Sequence, residues 1–294
     1  MRKNGILCPS LTSPELGANT ASMRIVDGET VSTAVAHLLR EILVDPPTLR
    51  DSCFSEGAAP GVEAEVAAIL DENLRIARTE RRPLCQDCGI VHAWVRKGRF
   101  LTVTGASSVE ALINEGIRRA YRGSNFRPSL VASPFNRVNT GDNTPAVVHY
   151  EEGDDAALFI TLLAKGGGSE NVSRSAMLPP SAGRAGIAEF VISVLRDAGG
   201  AGCPPYVVGV GVGGSFSSVA LRAEEALLFD RDDDPELRIL IMDRLSELGY
   251  GILGFPGVKP VMAVRVRKEA THISMLPVAV LLNCHSFRRG SITL

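Results

Sequence analysis

The order of helix-like and strand-like segments constrains the fold of this chain more than any other feature of its sequence. Before Pro83, apolar residues recur at the three- and four-residue spacing of amphipathic helices. From Ile90 onward, apolar runs of strand length are interspersed irregularly with further helical segments. Because this order is mixed, without a regular strand–helix–strand alternation, the sequence predicts an α+β fold.

Two helices are predicted before Pro83, on either side of a Gly- and Pro-rich break at residues 57–61. Their apolar positions are Val31, Ala34, Val35, Leu38, Leu39 and Ile42 in the first, and Val62, Val66, Ile69, Leu70, Leu74 and Ala77 in the second. Residues 90–95 and 100–103 are then predicted to pair as a β-hairpin. Ser107 and Glu110 form a capping-box pattern that opens a helix reaching Tyr121.

Residues 146–150 and 156–164 are predicted as paired strands, and the second runs into a glycine turn at residues 166–168. Periodicity then predicts a helix at residues 187–195, a buried strand at 206–210, and helices at 216–229 and 237–248. Strands at 261–266 and 278–282 complete the predicted order.

Length and charge limit the classes of function. The chain has 294 residues, 45% hydrophobic residues and a formal net charge of −2, which suits a globular protein and offers nucleic acid no basic patch. No apolar run reaches the roughly 18 residues of a spanning helix, and no secretory signal is recognisable. We therefore expect a cytoplasmic protein without nucleic-acid or membrane partners. Its domain is predicted at residues 23–294, after a loose extension at 1–22.

Cysteines provide the candidate chemistry. Six in a chain of this length are too few for a disulfide scaffold. Three of them, Cys85, Cys203 and Cys284, each lie at a junction between predicted elements, where functional residues often occur. The alternative for each is a buried cysteine with a purely structural role. Cys85 and Cys88 also form a C-x-x-C pair, but a zinc site would need a second close pair, and a thioredoxin-like fold is not indicated.

A dinucleotide site is a further alternative. Gly209, Gly211 and Gly214 match G-x-G-x-x-G between a strand and a helix, with Glu224 or Asp230 downstream. The match stands alone, because no second strand–helix–strand half follows. Glycines that let a helix lie close against a strand would give the same pattern.

Five motifs occur in a recognisable order: PLCQD at residues 83–87, NTGDNTPA at 139–146, AKGGGSEN at 164–171, CPP at 203–205 and NCH at 283–285. With these motifs the sequence resembles the amino-terminal domain of class I fumarases and the α subunit of two-subunit fumarate and L-tartrate dehydratases. The resemblance implies that Cys85, Cys203 and Cys284 hold a 4Fe–4S cluster, while Cys8, Cys53 and Cys88 are not ligands. Three thiolates leave one iron open as a Lewis acid.

The resemblance also implies the substrate contacts. It assigns them to Gln86, Asp87, Arg127, Gly167 and His272, with Arg137 as an alternative guanidinium, and Asp87 is expected to orient the acid–base group. Cys88 stands where the family usually has threonine.

The expected reaction is the interconversion of (S)-malate and fumarate. L-Tartrate and mesaconate remain alternative substrates. A protein of a different functional class, a non-catalytic iron–sulfur or ligand-binding module, is the other alternative. A separate β subunit is expected to supply the acid–base threonine and further cationic contacts, in an α2β2 assembly or with an α homodimer.

Overall fold

The computed structural model describes residues 23–294, and the predicted extension at residues 1–22 lies outside them. Ten strands and seven α-helices occur in this part of the chain. The strands are β1 Arg24–Asp27, β2 Ile90–Gly98, β3 Leu101–Thr104, β4 Val147–Gly153, β5 Leu158–Lys165, β6 Arg174–Leu178, β7 Tyr206–Gly214, β8 Val261–Thr271, β9 Leu276–Asn283 and β10 Arg288–Thr293. The helices are α1 Gly28–Val44, α2 Val62–Glu80, α3 Val109–Arg122, α4 Gly167–Val172, α5 Gly183–Ala198, α6 Val219–Leu228 and α7 Pro235–Met242. The predicted α+β class is confirmed.

The first large sheet has the strand order β10-β5-β2-β4. β2 pairs antiparallel with β5 and parallel with β4, and β10 pairs antiparallel with β5. The apolar faces of α1 and α3 share one core with this sheet, including Val35, Ile42, Ile117 and Leu162. The helical spacing of apolar residues in α1 thus corresponds to the face that the helix buries.

The second large sheet has the order β6-β9-β7-β8, with β7 antiparallel to β9 and parallel to β8. α6 lies directly against β7 because Gly209 and Gly211 have no side chain. A Cβ on either glycine would lie 2.3 Å from the carbonyl oxygen of Ala223 or Val219 in α6. Close packing of α6 against β7 therefore explains the glycine pattern. This is the alternative that the sequence offered to a dinucleotide site.

Several predicted pairings and boundaries are wrong. β2 and β3 do not form a hairpin, because β3 pairs in parallel with β1. β4 and β5 do not pair with each other, because β2 lies between them. α3 is capped by Ser108 rather than Ser107, with Ser108 Oγ accepting the Ala111 N–H at 3.1 Å. The helix predicted at 237–248 is α7 followed by a separate 3₁₀ turn at Leu245–Leu248.

A third core joins the two sheets and α2, and contains Trp94, Leu163, Val207 and Phe287. It brings strand ends from both sheets to one region: the start of β2, the end of β5, the start of β7, and the connection from β9 to β10. Cys85, Cys203 and Cys284 lie in the segments at these strand ends.

No helix within residues 23–294 is long and apolar enough to cross a membrane.

Candidate active site

Backbone hydrogen bonds join the segments that carry the three predicted cluster cysteines. The His285 N–H donates to the Cys203 carbonyl at 3.1 Å, which links the turn before β7 to the residue after Cys284. The Arg288 guanidinium donates through Nη1 to the carbonyl of Asp87, which links the start of β10 to the turn before β2. The three turns are therefore neighbours in the fold, although their cysteines are far apart in sequence.

The thiols of these cysteines influence one another. Cys203 is exposed, but its partial desolvation raises the pKa of its thiol, and negative charge on Cys284 and on Cys85 would raise it further. Burial also raises the pKa of Cys284, where a charged Cys85 acts in the same direction. Three thiolates in one region repel one another unless a cation or metal group lies among them.

The donor set fits an iron–sulfur cluster. Thiolates are the usual ligands of such clusters, and the three thiols come from three separate turns. Ser286 Oγ and Arg288 Nε are buried beside Cys284 without a hydrogen-bond partner in the described chain. Among residues 23–294, no three His, Cys, Asp or Glu side chains are close enough to hold a single metal ion. Residues 23–294 thus offer no single-ion site of this kind, whereas the ligands of a four-iron cluster lie farther apart.

Cys88 differs from these three cysteines. It is fully buried within the core between the first sheet, α1 and α3. Its Sγ lies 3.8 Å from the Cys85 carbonyl oxygen, and burial raises its pKa.

A cavity of about 510 Å³ lies beside the turn that carries Cys85, and its wall includes Asp87, Arg127, Arg137 and Gly167. Four predicted site residues are therefore brought together. Arg127 and Arg137 are both exposed, and neither guanidinium has an ion pair or hydrogen bond within the described residues. Two unpaired guanidinium groups on one cavity wall are suited to binding a carboxylate.

The Asp87 carboxylate is held by three donors. Oδ2 accepts the Gly167 N–H at 2.9 Å, and Oδ1 accepts the Gly89 N–H at 3.0 Å and the Ser129 hydroxyl at 3.2 Å. Asp87 therefore joins the cysteine turn to the glycine turn after β5 and to the loop that follows α3.

Asn143 fixes that loop and was missed as a site residue. It is buried with a φ of 59°, a left-handed conformation that asparagine adopts more readily than most residues. Its Oδ1 accepts the Ser129 N–H at 2.8 Å, and its Nδ2 donates to the Gly89 carbonyl and the Tyr121 hydroxyl at 3.0 Å. Its place in the NTGDNTPA motif was the available signal.

Two predicted contacts do not line the cavity. Gln86 is exposed next to Cys85 but is absent from the cavity wall. His272 follows β8 and is exposed, with Nδ1 2.8 Å from Ser274 Oγ. The eight residues of β9 separate this turn from Cys284. At about 3.3 Å per residue, the length of this strand is roughly 25 Å. The structure does not bring His272 to the cavity of its own chain.

Residues 48–293 match the fumarate hydratase (Fumerase) family. A putative L(+)-tartrate dehydratase subunit alpha from Methanocaldococcus jannaschii is 31% identical over 275 residues, covering 88% of this chain and 96% of the relative. The L(+)-tartrate dehydratase subunit alpha of Escherichia coli K12 is 30% identical over 233 residues, or 75% of each chain.

Proposed function

The chain belongs to the fumarate hydratase (Fumerase) family and is a hydro-lyase of the α-subunit type, and from this we propose that it uses a 4Fe–4S cluster to interconvert (S)-malate and fumarate. One observation carries the proposal. Hydrogen bonds join the turns bearing Cys85, Cys203 and Cys284, and the turn of Cys85 borders a cavity whose wall holds Asp87 and two unpaired arginines.

The three cysteines would hold the cluster. When bound, the cluster supplies a Lewis acid that makes hydroxide a better leaving group. Arg127 and Arg137 bind one substrate carboxylate, since their guanidinium groups lie on the cavity wall without a protein anion. The glycine turn at Gly167 contributes a further polar contact on this wall, and Gln86, which is exposed next to Cys85 but not on the wall, contacts substrate bound at the cluster.

Asp87 orients the acid–base group rather than acting as the base. Its two oxygens already accept hydrogen bonds from Gly89, Ser129 and Gly167. Both carboxylate oxygens are thus engaged in holding the cysteine turn, the glycine turn and the loop after α3 together, rather than being free to face a substrate proton. A base for the proton beside the substrate carboxylate must therefore come from elsewhere, and we assign it to a β subunit. The relatives' names, which describe α subunits, support such a partner.

His272 is assigned to a second copy. Because β9 separates it from Cys284, a contact between His272 and substrate requires the His272 turn of a neighbouring α chain. This assignment favours an assembly with two α chains, either an α2β2 complex or an α homodimer.

L-Tartrate is the second candidate substrate, and the names of the similar α subunits favour it. It differs from malate by one additional hydroxyl, which a few polar groups on the cavity wall would distinguish. Mesaconate, a methylated fumarate, would instead require apolar space beside the cluster. A non-catalytic iron–sulfur module would bind a cluster but show no turnover.

The proposal is tested by anaerobic cluster reconstitution, followed by dehydration assays with malate and L-tartrate and hydration assays with fumarate and mesaconate. Each assay is run with the chain alone and with a candidate β chain. We expect the highest kcat/KM for malate and fumarate, and only with the β chain present. A higher kcat/KM for L-tartrate would identify the second candidate, and the absence of turnover with any β chain would contradict the enzymatic proposal.

A further inference from the structure

Lys165 and Arg288 are the two cationic side chains that are fully buried within residues 23–294. Lys165 Nζ lies 2.7 Å from Glu170 Oε1, so a carboxylate compensates its charge. Arg288 has no ion pair with any Asp or Glu of the described chain, although only 1% of the residue is exposed. An unpaired buried charge costs considerable free energy. Arg288 therefore needs a compensating negative charge that no ion pair within residues 23–294 provides.

The surroundings of the Arg288 guanidinium indicate where that anion lies. Nη1 donates to the Asp87 carbonyl, and Nη2 lies 3.6 Å from the position that a Cβ on Gly166 would occupy. Nε is buried and has no hydrogen-bond partner in the described residues. The guanidinium thus lies between the turn of Cys85 and the end of β5, four residues after Cys284.

A substrate carboxylate is not the missing anion. Arg288 is not part of the wall of the 510 Å³ cavity, where Arg127 and Arg137 face the open space. The Asp87 carboxylate also lies nearby, with Oδ2 3.0 Å from the same Gly166 position, but it forms no ion pair with Arg288 and is already held by three hydrogen-bond donors. The cysteine sulfurs are the other nearby groups that can carry negative charge. The Arg288 guanidinium donates to the turn that carries Cys85, and Cys284 lies four residues before Arg288 on the same segment. Both of these thiols are assigned to the cluster.

We infer that Arg288 is the buried counter-ion of the cluster-binding thiolates, and that its charge raises the reduction potential of the bound cluster. The inference rests on the proposed function, because a 4Fe–4S core with three thiolates has a net negative charge that a neighbouring cation compensates. Net charge and hydrogen bonding around the sulfurs are among the factors that set cluster potentials. Arg288 is a positioning residue, since it acts through the cysteine ligands and does not line the substrate cavity.

The test compares Arg288→Gln, which removes the charge, with Arg288→Lys, which keeps it. Each full-length variant is reconstituted anaerobically, and its midpoint potential is measured by a redox titration monitored by EPR. We expect a lower potential for Arg288→Gln and a potential near that of the native chain for Arg288→Lys. Iron affinity of Arg288→Gln should fall roughly tenfold or more, as is typical when residues that support metal ligands are replaced.

Arg289→Gln is the matched control. Arg289 is the next residue of the same strand, and its guanidinium lies 2.7 Å from Asp230, which Arg265 also contacts at 2.6 Å. Its replacement should leave the cluster potential unchanged. Melting of the cluster-free proteins provides a second readout, and Arg288→Gln should not be less stable than the control, because it removes an unpaired buried charge.

Equal potentials for the native chain and Arg288→Gln would overturn the inference, as would Arg288→Lys with a potential as low as that of Arg288→Gln. Should Arg288→Gln fail to fold, Arg288→Met gives the same comparison with another neutral side chain. Failure of the native chain to take up a cluster would contradict the proposed cofactor itself. A cluster that forms normally, with a midpoint potential that does not depend on the charge of residue 288, would contradict only the counter-ion role.

Discussion

The Gly167 N–H donates to Asp87 Oδ2 at 2.9 Å, and this bond joins the glycine turn after β5 to the turn that carries Cys85. The other carboxylate oxygen of Asp87 accepts from Gly89 and Ser129. One aspartate thus fixes three segments of the cavity wall. Its position depends on β2 and β5 being neighbours, because Ile90 and Lys165 are paired residues of those strands.

Replacing Asp87 with asparagine should reduce kcat/KM about 100-fold or more without reducing the iron content. An amide offers one acceptor oxygen instead of two, so at least one of the three donors loses its partner, and the acid–base group loses its orienting charge. Asp154→Asn, at an exposed turn, is the control. Loss of iron in the Asp87→Asn protein would show instead that this residue serves mainly to hold the cysteine turn.

Arg127 and Arg137 should each contribute to substrate binding. Removing one hydrogen-bonded charge pair typically costs about 1.5–3 kcal/mol, so Arg127→Met and Arg137→Met should raise KM roughly 10- to 150-fold. Arg99→Met, at an exposed site paired with Asp154, should leave KM unchanged. An unaffected KM in both cavity variants would rule out a carboxylate clamp on this wall. A change in only one of them would identify the guanidinium that binds substrate.

Asp234 should make the stability of the second sheet dependent on pH. Although burial favours the neutral form, hydrogen bonds from Arg184, the Leu237 N–H and Lys268 lower the pKa of Asp234 from 3.8 to about 2. Because the folded-state pKa is lower than the unfolded one, the stabilisation is complete above the unfolded value. It is lost as pH falls from about 4 towards 2.

Asp234→Asn should therefore lower the free energy of unfolding by about 2 kcal/mol near neutral pH. The difference from the native chain should shrink as the pH approaches 2. Asp197→Asn, at an exposed position of α5, is the control for urea unfolding at several pH values. A difference between Asp234→Asn and the native chain that is independent of pH would contradict the charged role of this side chain.

Local sequence patterns predicted the helices better than the strand pairing. The apolar spacing that buries Val35 and Ile42 in α1 is encoded within one segment, so it is readable without knowledge of the fold. Pairing depends on distant segments. β2 lies between β4 and β5. In the predicted hairpin β2 would have paired with β3, but β1 is the strand that pairs with β3. No turn signal in the sequence specifies these choices.

The same distinction applies to the site. The family resemblance, which the order of the five motifs supports, implied Asp87, Arg127, Arg137 and Gly167, and the fold brings these four residues to one cavity. Arg288 was not identified, because its burial and its lack of an acidic partner become visible only in the tertiary structure. His272 was expected near substrate from the resemblance alone, and only the length of β9 shows that a second chain would have to provide it.

Iron content after serine substitution tests the central claim most directly. Each of the six cysteines is replaced separately, the proteins are reconstituted anaerobically, and iron and sulfide are measured per chain. We predict that Cys85→Ser, Cys203→Ser and Cys284→Ser lose the cluster, whereas Cys8→Ser, Cys53→Ser and Cys88→Ser retain the native content. A Cys88→Ser protein without a cluster, alongside a Cys85→Ser protein that keeps one, would contradict the ligand set on which the account depends.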